Sequence, residues 1–127
     1  MSTSPSFPVF PHDRLDAYNV AVELCVAVRQ LVAKLPRGHA PLADQLVRAS
    51  LSTALNTAEG ADSAGAGEKR QKFSIARTEA GECAAAAQIV VALGLAAAAD
   101  AAPVRELAGR VAAMLTKLIR RFGGATP

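Results

Sequence analysis

Residues 45–60 read QLVRASLSTALNTAEG, and the spacing of their polar side chains decides the fold class. Gln45, Ala49, Ser52, Asn56 and Glu59 follow one another at alternating intervals of four and three, the repeat of one helix face. Pro41 suits the start of this helix, because the N–H it lacks would be unpaired in a first turn anyway. The helix runs to about Glu59, where Gly60 is placed to end it. Polar groups along a helix seam need hydrogen-bond partners or they are costly. Glu82, on the following predicted helix, is the candidate partner. Gln45, Ser52, Asn56, Glu59 and Glu82 then pin helix register and cap exposed backbone groups. A chemical reading would pair Glu59 with Glu82 as catalytic carboxylates. No nucleophile, nearby histidine or ligand cluster accompanies them, so the structural role is favoured and no catalytic residue is assigned.

Three further helices flank this one. The first begins near Asp13, whose acid suits a helix N-terminus, and stops at about Leu35 before Pro36, Arg37 and Gly38. It carries two apolar seams. Tyr18, Ala21, Cys25, Val28, Val32 and Leu35 form one; Ala17, Val20, Leu24, Ala27 and Leu31 form the other. A surface helix ordinarily has one apolar stripe. Either one seam faces the core and the second, Ala17 to Leu31, faces a neighbouring subunit, or both belong to a wide arc within one subunit. After a small-residue loop at Ala61–Gly67, the third helix spans about Glu68 to Leu93, and Gly94-Leu95 reads as a glycine cap with its hydrophobic follower. The fourth starts between Asp100 and Pro103 and ends at Gly123-Gly124. Four helices on short loops predict an all-α, antiparallel up-down four-helix bundle over residues 13–122. A proline-punctuated arm at 1–12 precedes it and a short tail at 123–127 follows.

Composition agrees. The chain of 127 residues is 51% hydrophobic and only 4% aromatic, with no Trp, and much of its apolar content is Ala. One domain with a single core fits this length. The two cysteines, Cys25 and Cys83, read as buried thiols, and the two histidines, His12 and His39, sit in predicted loops far from them in sequence. No metal or cofactor is expected. The start lacks the features of a signal peptide, and the uncharged run Cys83–Ala99 is too short and too rich in Ala for a membrane span. The expected location is the cytoplasm, with no membrane partner.

Net charge is +3 and uneven: −1 over residues 1–65 and +4 over 66–127. Lys69, Arg70, Lys72 and Arg77 open the third helix, and Arg110, Lys117, Arg120 and Arg121 line the polar side of the fourth. Such residues meet phosphates without reading sequence.

The motif at 45–60 resembles the signature of the four-helix bundle family that includes proteins encoded by intervening sequences in bacterial 23S ribosomal RNA genes. Gln45, Leu46, Arg48, Ala49, Ser52, Asn56, Ala58, Glu59 and Gly60 match it. Lys72-Phe73, Ile75-Ala76 and Gly81-Glu82 continue the match, as do Leu93-Gly94 and Met114, Leu118 and Ile119. Thr53 and Thr57 depart from it, standing where the family has isoleucine. So does the loop after Gly60, which carries Asp62 and no base. The family is similar to the accessory protein of diversity-generating retroelements. The resemblance therefore implies a homopentamer that binds RNA or DNA and has a reverse transcriptase as partner. The expected function is a non-enzymatic, oligomeric accessory protein that binds nucleic acid non-specifically. A protein-interaction scaffold without nucleic acid is the other reading.

Overall fold

In the computed structural model, which describes residues 9–123, a 3₁₀ turn at Pro11–Arg14 leads into four helices: α1 (Asp16–Val32), α2 (Ala40–Asp62), α3 (Ala66–Ala92) and α4 (Ala98–Phe122). Each helix packs on its neighbours in the chain, and α1 closes the bundle against α4. Cross-helix contacts run antiparallel. Lys34 on the α1 side meets Asp100 on α4, Gln45 of α2 meets Glu82 of α3, and Arg77 of α3 meets Thr116 of α4. Most of the predicted arm, residues 1–8, and most of the predicted tail lie outside the described residues.

The interior has two layers. Leu24, Val28, Leu31, Leu46, Cys83, Val90 and Val104 fill one end. Val20, Phe73, Ala76, Ala80, Val111 and Leu115 fill the other. Small residues on α3 (Ala76, Ala80, Cys83, Ala86 and Ala87) supply much of its buried side. Short side chains let neighbouring backbones approach, so the alanine content noted in the sequence becomes close packing. No helix among the described residues is long and apolar enough to cross a membrane. Burial pushes the Cys83 thiol up to about 12, with the nearby Cys25 adding to the shift. Cys25 is only half-buried, and its Sγ donates to Ser50 O at 3.3 Å.

Two readings of the sequence need correction. The seam Ala17, Val20, Leu24, Ala27 and Leu31 is not a free interface, because all five side chains are buried inside the subunit. Of the other seam, Ala21 and Val28 are buried, while Tyr18, Cys25, Val32 and Leu35 are half-buried. The two seams therefore form one wide arc facing α2 and α4. Nor does Gly60 end α2. The helix continues to Asp62, and Gly60 is buried within it. A Cβ there would stand 2.6 Å from Phe73 Cε1, far inside van der Waals contact. Glycine is needed for the approach of the Phe73 ring and not for a turn. Gly94, by contrast, does cap α3. Its φ of 73° lies in the left-handed region, and Leu95 N–H donates to Val90 O while Gly94 N–H donates to Val91 O.

Thr53 and Thr57 are fully buried, and their hydroxyls donate to Ala49 O at 2.8 Å and Thr53 O at 2.7 Å. Back-bonding to the preceding turn satisfies each hydroxyl without a partner on another helix.

Two substitutions test this packing. Leu24→Ala should lower unfolding stability by about 2–5 kcal/mol, read as a shift of the denaturant midpoint. A residue that met only a neighbouring subunit would leave an isolated subunit's midpoint unmoved. Gly60→Ala gains about 1 kcal/mol of helix propensity. It also drives a methyl into a ring that is 1% exposed and has nowhere to go. The overpacking term, about 1–3 kcal/mol, should win, and the melting temperature should fall.

Candidate nucleic-acid interface

The antiparallel fold puts the start of α3, the ends of α2 and α4 and the 3₁₀ turn at one end of the bundle, and this is where the basic residues gather. Lys69 Nζ donates to Gly60 O at 3.2 Å and Ala61 O at 2.9 Å, carbonyls of the last turn of α2. Arg70 Nη1 donates to Phe122 O at 2.9 Å at the end of α4. Both cations therefore satisfy helix C-termini, where positive charge is favoured. Lys72 pairs with Glu59 at 3.0 Å and turns toward α2. Arg77 Nη1 donates to Thr116 Oγ1 at 3.3 Å. Half of the predicted phosphate contacts are thus engaged within the subunit.

Lys117, Arg120 and Arg121 are exposed near the end of α4 and make no ion pair among the described residues. Arg110 is also exposed, seven residues earlier and about 10 Å away along the axis, so it stands apart from the others. The structure adds a cation that the sequence reading missed. Arg14, in the 3₁₀ turn, lines a cleft of about 340 Å³ with Lys117 and Arg121, with Asp16 also on its wall. Arg14 lines a second cleft, of about 360 Å³, with Lys69 and Arg121. A signal for it existed. A cation just before a helix start opposes the helix dipole, so it serves something other than that helix.

The turn that carries Arg14 is fastened to α2. His12 N–H donates to Asp62 Oδ1 at 3.2 Å, and His12 Nδ1 lies 2.8 Å from Asp62 Oδ2. The imidazole stacks on Phe10 at 5.4 Å and meets the edge of Tyr18 at 4.7 Å. Asp13 accepts from Phe10 N–H at 2.9 Å and closes the turn. Asp62, the acid that departs from the family's loop, therefore positions a base.

The polar seam lies at the α2–α3 border and not in the core. Gln45 Nε2 donates to Glu82 Oε1 at 3.0 Å. Arg48 reaches Glu79 at 3.1 Å and Glu82 at 3.0 Å. These contacts join the two helices as expected, with Arg48 and Glu79 as unforeseen members. Asn56 differs: its Nδ2 donates to Ser52 O and Oγ, both in α2, so these bonds cannot pin register between helices. Glu59 and Glu82 each hold a different cation, so the seam does not assemble a carboxylate pair.

A second surface feature was also missed. Val22 and Val26 on α1, with Val47, Leu51 and Leu55 on α2, are exposed large apolar residues. Val26 is 54% exposed and Leu55 59%, which makes this strip free surface and not the rim of the core. A groove of about 300 Å³ between the two helices adjoins it, lined by Cys25, Val47 and Leu51 among others. On α2 these residues recur every four positions beside the polar seam, and the seam drew the sequence reading away from them. A further cleft, of about 550 Å³, opens between α3 and α4 at the other end and includes one charged side chain, Arg105.

The model of the family described as 23S rRNA-intervening sequence protein matches residues 13–117. A crystal structure of a protein of unknown function from the S23 ribosomal protein family of Bacteroides thetaiotaomicron superposes with a TM-score of 0.75. It shares 16% identity, and the match covers 82% of this chain and 98% of that one, a likeness of fold. No curated protein matches the chain.

Removing the fastening should free the turn without unfolding the bundle. For Asp62→Ala, amide exchange at residues 12–15 should quicken. The stability loss should stay below about 1 kcal/mol, as for other exposed pairs.

Proposed function

Because the chain belongs to the 23S rRNA-intervening sequence protein family, we propose that it is a self-assembling, non-enzymatic accessory protein that holds a nucleic-acid backbone against the basic end of its bundle. The observation that carries this reading is the convergence of Arg14, Lys69, Lys117 and Arg121 around two adjoining clefts. Three of them, Arg14, Lys117 and Arg121, make no ion pair among the described residues. Cations held close together without carboxylate partners favour a polyanion, whose binding releases condensed counterions. Contacts of this kind are made to phosphates and carry no sequence information. The non-enzymatic part rests on the seam carboxylates, which are committed to Lys72, Arg48 and Gln45.

Self-assembly rests on the strip Val22, Val26, Val47, Leu51 and Leu55, since soluble monomers seldom expose large apolar patches. Five copies is the number that the family resemblance implies; the subunit fold sets none. The same strip favours a second reading, a scaffold that docks another protein there without nucleic acid.

Binding of labelled duplexes of unrelated sequence separates the two. Replacing Arg14, Lys117 and Arg121 together with Ala should weaken all duplexes alike. It should also make the slope of log affinity against log salt shallower by about 3. An unchanged slope, or a preference for one sequence that survives high salt, would overturn the backbone reading. For assembly, light scattering after size exclusion should give a mass well above 13.0 kDa. Val26→Glu combined with Leu51→Glu should return it to the monomer with the melting temperature kept.

A further inference from the structure

We infer that the cleft beneath the 3₁₀ turn seats one unpaired nucleotide, so that the protein prefers single-stranded nucleic acid to duplex; this rests on the nucleic-acid reading above. The cleft lies where the turn, the end of α2, the start of α3 and the end of α4 meet, and its volume of about 360 Å³ is within the range of ligand sites. Its lining is apolar at Pro11, Leu118 and Phe122 and cationic at Arg14, Lys69 and Arg121. Phe122, the last residue of α4, directly follows Arg121.

The structure puts the Phe122 ring close to two of the cleft's cations. Lys69 Nζ is 5.6 Å from the Phe122 centroid and Arg121 Cζ is 5.5 Å from it. Lys69 is fixed in place by the carbonyls of Gly60 and Ala61, so its charge is on station before any ligand arrives. No acidic side chain lines this cleft, and Asp62, next to Ala61 of its wall, is occupied by His12.

A ligand that matches both parts carries a flat, weakly polar ring and a phosphate a short distance away. A nucleotide with its base swung out meets this description, and every base has a face to offer. In a duplex the bases are stacked and paired, and extruding one costs a few kcal/mol. In a single strand most of that cost is absent. Base contact with an apolar or aromatic platform is worth about 1–3 kcal/mol, so a preference of about tenfold or more for single strands should follow.

The test uses fluorescence polarisation with labelled oligothymidine, alone and annealed to oligoadenine, at one salt concentration. The wild-type chain should bind the single strand about tenfold more tightly. Ala61→Leu fills the cleft without changing charge, since Ala61 is part of its wall. It should bring the two affinities together by weakening single-strand binding about tenfold more than duplex binding. Independently of any variant, a bromouracil-substituted strand irradiated with the wild-type chain should crosslink at Phe122 or Leu118. Equal affinity for both forms, a preference that survives Ala61→Leu, or crosslinks confined to other helices would each overturn the proposal. Phosphatidylserine vesicles provide a control for an anionic amphiphile. If Ala61→Leu weakens binding to the vesicles and not to the strand, the occupant is not a nucleotide. If neither form binds, the nucleic-acid reading and the cleft proposal fall together. Duplex binding without single-strand preference removes only the cleft.

Discussion

The approach of Phe73 to Gly60 sets the geometry of the whole basic end. A side chain at residue 60 would push the ring away, and with it the first turns of α3 from the last turn of α2. Because the two helices can touch, Lys69 reaches the carbonyls of Gly60 and Ala61. α2 can also run on to Asp62, which then stands where His12 meets it. The 3₁₀ turn, Arg14 and both basic clefts follow from that one close contact. A loop beginning at residue 61 would have left Asp62 without a fixed position and Arg14 without a wall to stand against.

The cations at this end divide by what they are bonded to. Lys69 and Arg70 close the C-termini of α2 and α4, Lys72 answers Glu59, and Arg77 answers Thr116. These residues hold the end together, and of them Lys69 also lines one of the two basic clefts. Arg14, Lys117 and Arg121 border the clefts with no carboxylate partner among the described residues. A helix terminus and a polyanion ask for the same kind of side chain, so charge alone cannot separate the two uses. The bonded neighbour does.

The apolar surface divides in the same manner. Burying both seams of α1 uses the bundle's own demand for a wide arc, since the helix must face α2 and α4 together. The side chains left over, Val22 and Val26, are exposed on α1, as Val47, Leu51 and Leu55 are on α2. The polar seam of α2 faces α3 instead. One helix thus carries three separate faces: a core, a polar border and an exposed strip.

The sequence by itself determined the helices, their order and their antiparallel packing. Periodicity, proline and glycine act locally, and four amphipathic segments on short connections have few ways to bury their apolar faces. It also determined the cap at Gly94, which depends on a few adjacent residues. It marked Gln45 and Glu82 as cross-helix partners, because their spacing placed them on facing seams. Only the tertiary structure decided which apolar face is free, which cations are spent on carbonyls, and that Gly60 makes room for a ring. Arg14 and Phe122 join Lys69 and Arg121 at one cleft although they come from opposite ends of the chain. Spacing along a helix shows which residues share a face; what that face meets is fixed by the packing of the other three helices around it.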